Sequence, residues 1–223
     1  MTLPNKGQDQ PAYFTVSRSG ESRLEVKRSV FIGLAAPAED EAMAAGTIAR
    51  QRALYPDARH HVYAWRVRQP QQLQRFSDDG EPHGTAGQPV LTVLSKADLW
   101  QSILIVTRYF GGTLLGTGGL VRAYTDASRL ALEAAELSQM TEGYEYHLKL
   151  PYALYDRLSR AVAQHGWLSG QPQFGAEVGL SGFIPAGHRP AFEACVRDCS
   201  QGQVKPVYSA LCYRPLGLDS TST

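Results

Sequence analysis

The chain has 223 residues, room for one large core or two small ones, and its 43% hydrophobic fraction is ordinary for a globular protein. A formal net charge of +1 excludes a polycation that holds nucleic acid by bulk charge alone, and the sequence has no apolar run of about 20 residues to cross a bilayer. The polar start Met1–Gln10 lacks the features of a secretory signal, and three cysteines are poor material for a disulfide framework, so a soluble, cytoplasmic protein is expected.

Residues 1–12 and 217–223 are small and polar and are expected to be disordered. Tyr13–Val16, Arg23–Val26 and Ser29–Gly33 read as extended segments. Pro37 and Asp40 then open a helix that carries Met43, Ile48, Ala49 and Leu54 on its apolar side. His61–Val67 alternates as a strand, and Pro70–Gly87 is a long polar segment of the kind that is usually functional or disordered. A short helix is expected over Gln88–Ala97. Ser102–Thr107 is nearly continuous in β-branched and aliphatic residues, which marks a central strand covered on both faces. Leu120, Tyr124, Ala127, Ala131 and Ala135 recur at helical spacing to about Leu137.

A second domain then reads as strand Tyr144–Leu150, helix Ala153–His165 ended by Gly166, extended segment Phe174–Ile184, helix Arg189–Cys199 and strand Val204–Tyr213. If the middle segment or its approach supplies two strands, the pattern is a split βαβ of ferredoxin-like type. The expected boundaries are 13–138 for the first domain and 139–216 for the second. Cys195 and Cys199 stand four apart on a helical segment, but one pair is half of the usual structural zinc pattern, so small core residues are expected.

Between Arg18 and Arg75 there are ten basic and six acidic residues, among them Lys27, Arg28 and Arg59 beside His60 and His61. His60 and His61 have no serine or cysteine neighbour that would make them the base of a nucleophile. Phe76–Pro89 gathers Asp78, Asp79, Glu81, His83 and three glycines. Packed carboxylates repel unless neutralised, which leaves three readings: a solvated turn bent at Asp79-Gly80, an ion pair with Arg108 or Arg122, or a divalent cation. Thr85 is placed to cap a following helix. Val106–Tyr124 runs from a buried strand through five glycines into a helix, and the unpaired N–H groups of such an N-terminus suit phosphate or carboxylate. It lacks the Lys-Ser/Thr of a Walker A loop and the third glycine of the dinucleotide fingerprint. Glycines that only permit tight packing are the plainer explanation.

Four motifs in order, Lys27-Arg28-Ser29-x-Phe31-Ile32-Gly33, His61-x-Tyr63-Ala64-Trp65, Asp78–Pro89 and Thr107–Tyr124, resemble the IMPACT family in its bacterial, YigZ-like branch. The resemblance covers about 14–137 specifically and the remainder more weakly. It implies an α+β protein of two domains: an N-terminal β-α-β-α domain like domain IV of elongation factor G, and a ferredoxin-like C-terminal domain like domain V of that factor. It also points to the translation apparatus, because eukaryotic members are linked to translational control. Many members carry Lys where this chain has Leu115, which leaves Arg108 and Arg122 as the cations of the loop.

The expectation is a regulator, more like a binding protein than an enzyme, that binds RNA or a ribosome-associated protein through Lys27, Arg28, His61, Arg108, Tyr109, Gly111, Gly112, Gly118, Gly119 and Arg122. Asp78, Asp79 and Glu81 would orient the arginines. No cofactor or metal is expected, and the oligomeric state is open. The alternative is an enzyme of phosphoester chemistry holding a divalent cation on Asp78, Asp79, Glu81 and His83.

Overall fold

The structure, a computed structural model, describes residues 13–68 and 71–215; the terminal segments expected to be disordered lie outside the described residues. It divides into two compact units that meet in sequence at Ser138 and Gln139.

The first unit is built on five antiparallel strands: β2 (Gly20–Val26), β3 (Ser29–Pro37), β4 (His60–Val67), β5 (Leu73–Ser77) and β6 (Ser102–Tyr109). They lie in the order β2-β3-β6-β4-β5. The pleat turns alternate residues of β6 to opposite faces. Ile103 and Ile105 pack with Leu34, Trp65 and Val67 under helix α1 (Glu41–Leu54). Leu104 and Val106 pack with Phe31, Val62 and Ala64 under α2 (Gly87–Lys96) and α3 (Thr117–Ala134). The expected doubly covered central strand is therefore β6. Gly33 lets α3 approach, since a Cβ there would lie 2.6 Å from the Ala127 carbonyl oxygen.

Several expectations needed correction. Asp40 caps α1 by accepting the Met43 N–H at 2.7 Å, but the buried face is Ala44, Thr47 and Gln51. Met43, Ala49 and Leu54 are exposed, and Ile48 alone of the four packs inward. The polar segment after Pro70 contains β5, an edge strand whose backbone pairs with β4 from Tyr63↔Ser77 to Val67↔Leu73. Helix α3 ends before Leu137 because Glu136 already begins a strand, β7 (Glu136–Leu150). Strand β1 (Tyr13–Arg18) lies outside the five-stranded sheet; the Ser17 hydroxyl donates to the Glu136 carbonyl.

In the second unit β7 continues into a sheet with β8 (Leu168–Ser169), β9 (Gln173–Phe174), β10 (Val178–Pro185), β11 (Val207–Tyr208) and β12 (Cys212–Pro215). Strand β10 pairs antiparallel with β7 along eight residues and with β8 and β9 on its other side, while β11 and β12 pair with β7. With β8 and β9 sharing one position and β11 and β12 another, the order across this unit's sheet is β11/β12, β7, β10, β8/β9: fourth, first, third, second. Helices α4 (Tyr152–Gln164) and α5 (Arg189–Ser200) cover one face through Leu158, Val162, Phe192 and Val196. Gly166, at φ 68°, ends α4 as expected. Cys195 and Cys199 pack partly buried against this core, and burial next to Cys199 pushes the Cys195 thiol up to about 11. His188 accepts from the Trp167 indole at 3.2 Å. Among the described residues no helix is long and apolar enough to cross a membrane.

Candidate functional site

The sheet register brings three of the motifs to one end of the first unit. Arg108 of β6 lies opposite Phe31 of β3 and opposite His60 of β4. Strand β3 begins at the hairpin tip Lys27-Arg28, where Val26 pairs with Ser29, so the loop has two residues. Both have positive φ, 47° and 69°, the signature of a type I′ turn, which glycine and asparagine adopt more readily than long side chains do. Both side chains are exposed.

Ser29 ties this tip to the glycine-rich loop after β6. Its hydroxyl accepts from the Gly111 N–H at 3.1 Å and from Arg108 Nη2 at 3.3 Å. Gly111 is required at that place, because a Cβ would overlap the backbone of Arg28. Gly112 and Gly116 have positive φ, 81° and 72°, and Gly118 faces open space. No side chain caps α3: its ladder begins with the Leu120 N–H to the Gly116 carbonyl. The amides of Thr117, Gly118 and Gly119 therefore have no acceptor within the helix.

Beneath the loop sits a buried polar junction. Arg108 Nη1 donates to Glu81 Oε1 at 2.5 Å, with both side chains about 5% exposed or less. The Tyr124 hydroxyl donates to the same oxygen at 2.8 Å, and its ring meets Phe31 edge-on at 5.2 Å. Burial and the neighbouring Glu81 carboxylate push the Tyr124 phenol far up, so it remains a donor. His60 Nε2 stands 3.8 Å from Glu81 Oε1. The Arg108 Nε is buried without an acceptor among the described residues.

The carboxylates have separate tasks. Glu81 neutralises Arg108. Asp79, at φ 45°, bends the chain with Gly80; its carboxylate pairs with Arg52 at 2.5 Å and accepts the His61 N–H at 2.6 Å. Asp78 accepts the N–H groups of Gly84 at 2.9 Å, Ala86 at 3.1 Å and Gly87 at 2.8 Å, and so holds the start of α2. Thr85 does not cap that helix: its hydroxyl donates to the Pro82 carbonyl at 2.7 Å. Burial alone would raise both aspartates, but the amide donors and His83 around Asp78, and Arg52 with the His61 N–H around Asp79, outweigh it and hold both below the ordinary value. The three carboxylates thus do not converge, and no group of three ligating side chains suited to a metal ion exists among the described residues.

Of the other expected site residues, His61 is buried with Nδ1 3.2 Å from the Thr107 hydroxyl, and burial followed by Arg52 lowers its pKa. Arg122 is exposed on α3 with Nε 3.4 Å from the Gly118 carbonyl of its own helix, and Tyr109 is half-buried. A cavity of about 350 Å³ opens at this end of the unit, its lining including Arg59, His60, Arg108 and Phe110 and, from the loop and α3, Leu114, Leu115, Gly116, Thr117 and Leu120. Arg59 and His60 were noted in the sequence but, like Phe110, were not among the expected site residues. The signal available was the alternation of β4, which puts His60 and His61 on opposite faces.

Fold and site together define a two-unit α+β protein whose first unit gathers a basic hairpin tip, a glycine-rich loop and an Arg–Glu–Tyr junction at one end of an antiparallel sheet. Residues 27–132 match the Impact N-terminal domain, and residues 148–203 match a domain of unknown function, DUF1949. The chain belongs to the IMPACT family, in its YigZ-like branch. It is 36% identical to IMPACT family member YigZ of Escherichia coli (strain K12), over 81% of this chain and 90% of that protein. It is 28% identical to IMPACT family member YvyE of Bacillus subtilis (strain 168), over 86% of this chain and 88% of that one. A crystal structure described as that of a hypothetical protein superposes with a TM-score of 0.59 at 33% identity, covering 89% of this chain and 97% of the other.

Proposed function

We propose that the protein is a translation-associated regulator that works in the cytoplasm without catalysis, by binding RNA, free or within the ribosome, through the loop end of its first unit. The observation that carries this reading is the pinning of the exposed Lys27-Arg28 tip against the glycine-rich loop by Ser29 and Gly111. Two cations then stand at the start of a loop that runs on to the uncapped amides of α3, and both features suit a phosphate backbone. Arg108 and Glu81 stiffen the floor, while Arg122 and Arg59 stand exposed nearby. The first unit is, on this reading, of the kind found in domain IV of elongation factor G. The second is ferredoxin-like, supported by its fourth-first-third-second strand order. Membership of the IMPACT family, whose eukaryotic members are linked to translational control, favours the same setting.

The test is fluorescence anisotropy of labelled single-stranded RNA over a salt series. Arg108 is a poor choice of variant, because its loss leaves Glu81 charged and buried. With Lys27→Ala and Arg28→Ala combined, binding should weaken and the slope of log K against log salt should fall by about 0.7 for each lost phosphate contact. Absent binding would exclude RNA and leave a protein partner, and binding that ignores both salt and the double variant would exclude phosphate contacts at this tip.

A further inference from the structure

We infer that the cavity beside the loop is a seat for one nucleotide unit, with its phosphate on the amides that open α3 and its base against Phe110. The inference rests on the RNA reading of this surface and deepens it.

The cavity of about 350 Å³ lies within the range of small-molecule sites and is larger than a bare oxyanion needs. Its lining combines two chemistries. Gly116 and Thr117 line it where α3 opens on an uncapped turn, and a Cβ at Gly116 would meet nothing within 4 Å, which leaves space for close approach. Arg59, exposed, stands at the rim. Arg108 lines the wall at 4% exposure, and although Glu81 answers its charge, its Nε–H has no acceptor among the described residues. A buried donor left unpaired costs free energy, which an incoming acceptor would recover. Phe110, 41% exposed, lines it too, with the guanidinium carbons of Arg59 and Arg108 at 6.0 and 5.6 Å from its ring centre. Leu114 and Leu115 add apolar surface to the lining. Anion-binding groups and an exposed aromatic ring on one cavity describe a nucleotide better than inorganic phosphate or a carboxylate on an aliphatic chain. Leu115 contributes a wall rather than a charge, so specificity here comes from shape and stacking.

The test uses the full chain and titration calorimetry with adenosine 5′-monophosphate, adenosine, inorganic phosphate and a short peptide ending in a free leucine carboxylate. The monophosphate should bind at least tenfold more tightly than each of the other three. Phe110→Ala and Arg59→Ala, both at exposed positions and checked for unchanged melting, should each weaken it about tenfold. Equal binding of phosphate and monophosphate would overturn the inference in favour of a simple anion seat, and tighter binding of the peptide would overturn it in favour of a carboxylate site. No monophosphate binding while RNA still binds in the salt series would overturn the nucleotide seat alone. Loss of RNA binding with retained monophosphate binding would overturn the RNA reading and leave the seat standing.

Discussion

Asp78 does with one side chain what helix starts usually do with a neighbouring serine or threonine. Its carboxylate reaches the amides of Ala86 and Gly87, eight and nine residues along, and that of Gly84 as well. Because its folded-state pKa lies below the ordinary 3.8, its contribution to stability is complete above that value and is lost as pH falls through the depressed one. Asp78→Ala should therefore cost about 2 kcal/mol near neutrality, the upper range for a lost cap. It should also make the acid limb of stability shallower, with Asp79 supplying what remains. Urea midpoints between pH 2 and 7 measure both; an unchanged limb would mean that Asp78 carries no share of it. The sequence showed that three carboxylates in one short loop need neutralising, and an ion pair with Arg108 was among the readings. It did not show which carboxylate does so, because the partners of Asp78 are backbone amides and those of Asp79 come from α1 and β4.

At the scale of elements, the hairpin between β2 and β3 joins stability to binding. Two long basic side chains occupy left-handed positions that cost about 1 kcal/mol each relative to residues that favour them. Replacing Lys27 by Asn and Arg28 by Gly should raise stability by about 1–2 kcal/mol in thermal unfolding and weaken RNA binding in the same protein. Gain of stability with undiminished binding would separate the tip from the interface. Most helices and strands were legible because their apolar periodicity survives folding, as in Leu120, Tyr124, Ala127 and Ala131 of α3. Helix α1 and its Asp40 cap were legible too, but its buried face was not, because what it buries is Ala44, Thr47 and Gln51, residues that hydropathy does not mark. Strand β5 was missed since an edge strand is held by its ladder to β4 and leaves Phe76 38% exposed.

At the scale of the whole molecule, the buried clusters are distinct: the first unit packs on both faces of its sheet, and the second packs Leu148, Leu158, Val162 and Phe192 under α4 and α5. Phe192→Ala should cost about 3–5 kcal/mol, as such cavities do, and should speed amide exchange in α4 and α5. RNA affinity should stay as it was, since every residue assigned to binding belongs to the first unit. A parallel loss of affinity would bring the second unit into the interface.

Temperature bears on the junction of Arg108, Glu81 and Tyr124 differently from the apolar layers around it. The cost of taking two charges out of water falls on warming, while hydrophobic stabilisation per unit area levels off. An enclosed pair such as Arg108 and Glu81, each less than a tenth exposed, thus becomes a relatively better bargain as heat loosens the packing. The floor of the loop is then held best under the conditions in which the rest of the chain is held least.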